Sequence, residues 1–255
     1  MGSTGLMRIT ELRRYAVKSM QGESCDELRI AANGIDGDRG FGVLDVESGT
    51  IISAKREGRL LGASARLSDD GVRVRLPGGR EMPHGAALDH ELASWLGREV
   101  HLVQARRHGV GIFKCPQDFE REESRTMRWQ GTGHSFVDES DLHLLTTADL
   151  GLLQRHRPDL QWDVRRFRPN IVLAGGEDET SDKWIGQQLR LGEVTVHVTG
   201  TCTRCVMTTR EQPDGLERQL DILRHVIQRC GNSVGVRATV IKAGRVFLGD
   251  DAQVI

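Results

Sequence analysis

The sequence predicts a mainly β protein with a few helices. Thirty glycines are spread through its 255 residues, and short runs of valine, isoleucine and leucine alternate with polar residues along much of the chain. Stretches with a helical period are few. Short strands separated by frequent turns are typical of a β-barrel or a β-sandwich.

Eight short segments have the alternation or the compact apolar run expected of strands. They are residues 7–9 continuing into 15–17, then 42–44, 51–53, 72–76, 100–103, 171–173, 194–199 and 236–241. Three segments repeat apolar residues at helical spacing: 88–96, 147–155 with Thr147 as a candidate cap, and 216–230. The polar stretch 106–133 is predicted to be a connection between domains or a mobile loop.

Composition excludes several classes of partner. The net charge is -1 with 28% charged residues, so no bulk field favours nucleic acid or an acidic membrane surface. No apolar run approaches the roughly eighteen residues of a membrane span, and the first residues lack a signal-peptide core. Scattered cysteines indicate a reducing compartment. We expect a cytoplasmic protein with no nucleic-acid or membrane partner.

The segment Cys202-Thr-Arg-Cys205 is the most informative one in the chain. It follows the alternating strand 194–199, and Val206 and Thr208 then resume a β-prone composition, which predicts a turn between two strands. Arg204 stands beside the second thiol. A nearby cation stabilises the thiolate, the form of cysteine that attacks electrophiles or binds soft metals.

Other roles for this cysteine pair have to be weighed. A thioredoxin-type redox pair needs a helix N-terminus at the cysteines, and no helical period follows them. A zinc site needs four ligands in paired spacing, whereas Cys25, Cys115 and Cys230 are scattered singly. Simple buried thiols are a common fate of cytosolic cysteines, and local composition alone leaves that reading open.

Four further polar segments have residues suited to holding a large anion. They are Lys18-Ser19, Asp38-Arg39, Asp138-Glu-Ser140 and Arg165-Arg-Phe-Arg-Pro-Asn170. Each of the first three also fits a solvated surface charge or a local turn. The last is the strongest, because three arginines lie within four residues and Pro169 stiffens the backbone before an apolar strand. Rigid arginines suit bidentate capture of phosphate or carboxylate.

Taken in order, these segments resemble the MOSC family, which is named for the C-terminal domain of molybdenum cofactor sulfurases. The likeness is strongest to its two-part members, which include amidoxime-reducing proteins. The segments that carry it are Val17-Lys-Ser19, Asp38-Arg-Gly-Phe41, residues 53–60, Asp138-Glu-Ser140, Phe167-Arg-Pro-Asn170, Cys202-Thr-Arg-Cys205 with Thr208-Thr209, and residues 244–250.

The resemblance implies a β-rich N-terminal domain over 7–105 and a β-barrel MOSC domain over 106–255, with a molybdenum–molybdopterin cofactor at their junction. It makes Cys205 the catalytic residue and the thiolate ligand of the metal. The residues that it implies for cofactor binding are Lys18, Ser19 and Arg39 from the first domain, and Asp138, Ser140, Arg168, Asn170, Cys202, Thr203 and Arg204 from the second.

The resemblance further implies an oxidoreductase that reduces small N-hydroxylated or N-oxide-like substrates. No four-cysteine iron–sulfur pattern occurs, so electrons are expected from a separate ferredoxin- or flavin-type protein. Two alternatives stay open: sulfur transfer through a persulfide on Cys205, and carriage of the cofactor without catalysis. Glu139 and Arg237 replace a small hydroxyl residue and an aromatic residue of the amidoxime-reducing relatives, which leaves the substrate undecided. Arg237 is a candidate phosphate partner.

Overall fold

The computed structural model describes residues 6–109, 111–116, 126–131 and 134–255. The strands before residue 131 are β1 (Met7–Arg14), β2 (Glu23–Ser24), β3 (Glu27–Ala31), β4 (Gly34–Ile35), β5 (Phe41–Asp45), β6 (Thr50–Ile51), β7 (Ser64–Ser68), β8 (Gly71–Arg75), β9 (Glu81–Pro83), β10 (Val100–Gln104), β11 (Ile112–Pro116) and β12 (Thr126–Gln130). Those after it are β13 (Leu142–Thr146), β14 (Ile171–Ala174), β15 (Gln188–Leu191), β16 (Val194–Thr203), β17 (Ser233–Lys242), β18 (Gly244–Phe247) and β19 (Asp251–Val254). The α-helices are α1 (Ala86–Leu96), α2 (Ala105–His108), α3 (Thr147–His156) and α4 (Leu220–Cys230).

Seven strands close into a barrel in the order β14-β13-β17-β16-β15-β19-β1, and β1 pairs back to β14. Strand β16 shows why these residues form it: Val194, Val196 and Val198 are fully buried, and the polar residues between them are half-buried. The mainly β class predicted from the sequence is confirmed. The first strand of the chain therefore completes a barrel whose other strands all come from the second half.

A second β unit is built from β10-β5-β6-β11-β12 and the smaller sheet β7-β8-β9, whereas the three-stranded sheet β18-β3-β4 packs Leu28, Ile30 and Val246 into the core cluster of the barrel. Helix α1 buries Leu88, Leu92 and Leu96 in the core of this unit and is capped by Gly97, whose φ of 67° is the left-handed conformation that favours glycine. Within the predicted loop 106–133, the described residues instead include most of α2 and form β11 and β12, which pair with each other, and β11 also pairs with β6.

Several predicted boundaries were wrong. The strand expected over 15–17 does not form: β1 ends at Arg14, and Val17 makes only an isolated bridge to Phe41. The N-cap of α3 is Thr146, one residue earlier than predicted, and it forms a capping box with Asp149. Helix α4 begins at Leu220 because residues 212–216 form a bridged turn instead of helix.

The turn predicted around the two cysteines was also wrong. Strand β16 runs through Cys202 to Thr203, with a register shift between Thr201 and Thr203, so only Cys205 lies beyond the strand. Residues Val206–Thr209 form a 3-10 helix where a β composition was expected. Both hydroxyls in that turn, on Thr208 and Thr209, donate to carbonyls three residues back, which favours the helical turn over an extended chain.

Candidate functional site

A cavity of about 310 Å³ lies where loops of the second β unit meet one end of the barrel. This volume lies at the lower end of the range of about 300–1,000 Å³ typical of small-molecule sites. All eleven residues that the sequence suggested as site residues line it: Lys18, Ser19, Arg39, Asp138, Ser140, Arg168, Asn170, Cys202, Thr203, Arg204 and Cys205. The fold thus brings together segments that are up to 187 positions apart in the sequence.

Three cavity residues have strained backbones. Ser19, Arg39 and Arg168 have φ values of 69°, 47° and 56°, in the left-handed region that non-glycine residues rarely adopt. Neighbouring contacts hold them there: Ser19 Oγ accepts from Ala54 N at 2.9 Å, and Arg39 N donates to Tyr15 O at 2.6 Å. Such strain, on the order of 1–3 kcal/mol per residue, concentrates at functional sites.

The ring of Tyr15 supports two of the cavity arginines. The guanidinium carbons of Arg39 and Arg168 lie 4.5 and 4.1 Å from its centroid, within cation–π range. Burial raises the pKa of Tyr15, so the phenol stays neutral and donates to Pro169 O at 3.2 Å. Burial also lowers the pKa of Arg168 to about 10, which still leaves it charged at neutral pH.

The side chains of Asn170 and Ser140 form hydrogen bonds with other residues of the protein. Asn170 Oδ1 accepts from His143 N at 3.2 Å and from Arg39 Nη1 at 3.3 Å, and its amide donates to Arg13 O at 3.3 Å. Ser140 Oγ donates to Leu142 O at 2.8 Å. In this structure both residues shape the wall of the cavity and brace its neighbours.

Asp138 joins two lysines of the second β unit to the loop before β13. Its carboxylate lies 2.7 Å from Lys18 Nζ and 3.2 Å from Lys55 Nζ. Although burial acts in the opposite direction, the two ammonium groups hold the pKa of Asp138 well below its usual range. Burial lowers the pKa of Lys18, whose Nζ also donates to Phe136 O at 2.8 Å.

The two cysteines have different surroundings. Arg204, expected beside the second thiol, directs its Nη1 to Cys202 Sγ at 3.3 Å and to Val234 O at 3.2 Å, and its Nη2 donates to Phe167 O at 3.1 Å. Both thiols are half-buried. Cys205 caps the 3-10 helix, and its carbonyl accepts from Thr208 N at 3.0 Å.

Arg166 holds the residues that follow Cys205 in place through hydrogen bonds to their backbone. It is 1% exposed and donates to the carbonyls of Gln161, Thr208, Arg210 and Glu217 at 2.7 to 3.2 Å. Residues 165–170 lead into β14, as expected, but Val164–Arg166 is a 3-10 turn. Arg166 points away from the anion role suggested for the arginines of this segment and is a structural centre of the site.

Seven lining residues were not assigned a role from the sequence: Ser53, Lys55, Met127, Phe136, Val137, His143 and Met207. Ser53 and Lys55 lie in the stretch 53–60 that contributed to the resemblance, which was their only signal. His143 looked like one polar position in an apolar strand. Burial, and secondly the charge of Arg204, lower its pKa to about 3, so it is neutral, and Gly235 opposite leaves the space that its ring needs.

The charge balance of the lining indicates an anionic ligand. Seven cationic side chains contribute to it: Lys18, Arg39, Lys55, Arg166, Arg168, Arg204 and Arg237. Of the described residues, only Asp138 and Glu139 bring carboxylates to the lining. Two buried side-chain atoms of the lining, Ser53 Oγ and Arg204 Nε, have no hydrogen-bond partner among the described residues. The site can therefore offer charge and further hydrogen bonds to a ligand.

The described residues contain no group of three or more histidine, cysteine, aspartate or glutamate side chains placed to hold a metal ion. In the same part of the chain, no helix has the length and apolar character needed to cross a membrane.

Comparison with known proteins finds similar sequences among amidoxime reducing components and molybdenum cofactor sulfurases. Mitochondrial amidoxime reducing component 2 of Bos taurus is 24% identical over 284 residues, covering 95% of this chain and 81% of that protein. Molybdenum cofactor sulfurase of Anopheles gambiae is 24% identical over 270 residues, covering 88% of this chain but 33% of the sulfurase. The crystal structure of the YUAD protein from Bacillus subtilis covers all of this chain and 98% of its own, with a TM-score of 0.51 at 13% identity, a likeness of fold.

Two family models match consecutive parts of the sequence. The MOSC N-terminal beta barrel domain matches residues 6–110, and the MOSC domain matches residues 131–253. The order of the two agrees with the order of the motifs that converge on the cavity. The chain belongs to the MOSC family, and it carries the N-terminal β-barrel domain ahead of the MOSC domain.

Proposed function

We propose that this protein binds a molybdenum–molybdopterin cofactor and reduces small N-hydroxylated or N-oxide-like substrates. The observation that carries the proposal is the cavity itself, where a strongly cationic wall surrounds a half-buried cysteine at the end of β16. The similarity to an amidoxime reducing component over 95% of the chain supports the choice of substrate class.

The donor set fits such a cofactor. A pterin carrying a phosphate needs cations for the phosphate and hydrogen-bonding groups for the ring edges, and the lining supplies both. Arg39 and Arg168 are held in place by Tyr15 and would take the anionic group. The free Ser53 hydroxyl and the Arg204 Nε proton remain for polar atoms of the ligand.

A soft metal in this cavity would take its one protein ligand from Cys205, and the other sulfur ligands would come from the cofactor. When bound, the cofactor supplies two-electron redox chemistry that the side chains lack. The neutral His143 and the cationic Arg204 shape the wall beside the cysteines. The proposed product of the reaction is the reduced amine or amidine, with water.

Electrons would come from a separate ferredoxin- or flavin-type protein. The 255 residues contain no iron–sulfur ligand pattern, and the proposed reaction consumes two electrons per turnover. We expect the reaction to take place in the cytoplasm.

The test is made on protein produced together with cofactor synthesis. Molybdenum is measured by mass spectrometry, and pterin is measured by fluorescence after oxidation. The rate of benzamidoxime reduction is measured with reduced methyl viologen as the electron donor. We expect molybdenum and pterin in equal amounts and turnover of the substrate. Folded protein without either would overturn the proposal, and a sulfur adduct on Cys205 without metal would favour sulfur transfer. A loaded protein that does not turn over benzamidoxime but activates an apo-molybdoenzyme would be a carrier.

A further inference from the structure

An ion pair stands at the opening of the cavity. Glu139 Oε2 lies 2.6 Å from Arg237 Nη1, and both residues line the cavity. Their side chains are 44% and 32% exposed, while Lys18 and Lys55, deeper in the wall, are 6% and 10% exposed. A substrate entering from solvent would meet Glu139 and Arg237 before it met the lysines.

The two partners of this pair are held very differently. Arg237 lies inside β17, paired with His143 of β13 on one side and Gly200 of β16 on the other. Its Nε donates to Thr201 O at 2.9 Å, so the guanidinium stays in place without Glu139. Glu139 belongs to the irregular segment before β13, and Arg237 is its one side-chain partner among the described residues. The cation is fixed by the barrel, whereas the carboxylate is replaceable.

The field around the pair favours an incoming anion. Six other cationic side chains contribute to the lining, and the one further carboxylate that the described residues place there, Asp138, is already engaged by two lysines. A carboxylate that displaced Glu139 would keep the short contact to Arg237 Nη1 and could add Nη2, which gives the bidentate geometry that guanidinium groups favour.

We infer that the Glu139 carboxylate occupies the place of a substrate carboxylate on Arg237, and that the site selects N-hydroxylated substrates that carry such a group. The inference rests on the proposed function and names the substrate class within it. Arg237 is then the specificity-determining residue, and Glu139 is an internal competitor for the same guanidinium.

If Glu139 competes with the substrate for Arg237, substitutions at the two residues should shift the KM for a carboxylate substrate in opposite directions. Arg237→Gln removes the substrate contact and should raise the KM for a carboxylate substrate by roughly 10–100-fold, the range of a charge-assisted hydrogen bond. Glu139→Gln removes the competitor and should lower that KM by up to about 5-fold, the upper limit for an exposed ion pair. If the ion pair served only the fold, both substitutions would shift that KM in the same direction.

The experiment compares benzamidoxime with 4-carboxybenzamidoxime, using reduced methyl viologen as the donor and cofactor-loaded protein. For each variant, the ratio of kcat/KM for the carboxylate substrate to kcat/KM for the neutral one is measured, with KM and kcat reported separately. Glu47→Gln and Arg80→Gln are the matched controls, because both residues are exposed and lie outside the cavity. Binding of 4-carboxybenzamidoxime without reductant is measured in parallel by calorimetry.

We expect the ratio to fall in Arg237→Gln and to rise in Glu139→Gln, through KM, with both controls unchanged. Shifts of the same sign, or no shift in either variant, would overturn the inference. If the wild type reduced neither compound, the proposed function would fail, and the calorimetric dissociation constants would decide the inference alone: opposite shifts support it, and equal ones reject it.

Discussion

Arg204 donates a hydrogen bond to the sulfur of Cys202, with 3.3 Å between Nη1 and Sγ. The same nitrogen lies 3.3 Å from His143 Nε2 and 3.2 Å from Val234 O, so the guanidinium ties Cys202 to the wall of the barrel. Cys205, three residues later, lies outside the strand and caps the next turn. The two thiols of this short motif therefore have different surroundings, and we expect them to have different roles.

This difference predicts unequal effects of the two serine substitutions. Cys205→Ser should abolish reduction of benzamidoxime and leave the fold intact, because a hydroxyl is a poor substitute for a thiolate on a soft metal. Cys202→Ser should be milder, since a serine oxygen can still accept from Arg204. Activity, molybdenum content and melting temperature are measured side by side, with Cys230→Ser at the end of α4 as the control. Equal loss in both would point to a redox pair.

Arg168→Ala should lose the cofactor. The substitution removes a cation that burial has partly desolvated, and a charge-assisted contact in such a site is worth about 1.5–3 kcal/mol. Pterin and molybdenum per mole of folded protein are the measurement. Arg168→Lys, which keeps the charge but not the planar fork, should retain an intermediate amount. Full retention in Arg168→Ala would remove the role assigned to the segment from Phe167 to Asn170.

Arg166→Ala should instead destabilise the fold. The change removes the donor of four carbonyls, one of them the buried Thr208 carbonyl, which costs about 3 kcal/mol or more and would lower the melting temperature by roughly 6–12 °C in a chain of this size. Arg165→Ala is the matched control, because its partners Asp163 and Asp214 are more exposed. Thermal unfolding followed by circular dichroism is the measurement, and similar melting temperatures for the two variants would contradict the structural role of Arg166.

Asp138→Asn should destabilise the protein without its cofactor. The carboxylate compensates two nearby ammonium groups, one of them on the deeply buried Lys18, and its loss is expected to cost about 1–3 kcal/mol. A bound anionic cofactor would restore part of the compensation, so the loss should be smaller in the loaded form. Melting temperatures of both forms test this, and an equal loss in both would place the cofactor's charge away from the lysines.

His143 should make the protein less stable as the pH falls. Because its pKa is lowered from 6.5 to about 3 in the folded state, the unfolded chain binds a proton below about pH 6.5 that the folded chain does not. Stability from this group is therefore fully present above pH 6.5 and is lost towards pH 3, at up to about 1.4 kcal/mol per pH unit. When the free energy of unfolding is measured by urea denaturation between about pH 6 and pH 4, it should fall less steeply with falling pH in His143→Gln than in the wild type. Parallel slopes would show that His143 does not stay neutral.

The β class can be predicted from the amino-acid pattern, because alternating valines and frequent glycines leave few other ways to bury apolar surface. Ordered motifs such as Phe167-Arg-Pro-Asn170 and Cys202-Thr-Arg-Cys205 are local and specific enough to carry the family resemblance, and that resemblance implied the eleven residues that the structure brings to one cavity. Local composition was weakest at turns: the side-chain hydroxyls of Thr208 and Thr209 bond back to carbonyls and make a 3-10 helix where β propensity indicated a strand.

The partner of each charged group became visible only in the folded chain. Arg166 and Arg168 are alike in sequence, yet one is consumed by backbone carbonyls and the other lies against Tyr15 in the cavity wall. Glu139 and Arg237, 98 positions apart, become partners only because β13 and β17 are neighbours in the barrel. Long-range pairing of this kind depends on strand order and register, and a linear pattern of residues does not encode either in a form that can be read locally.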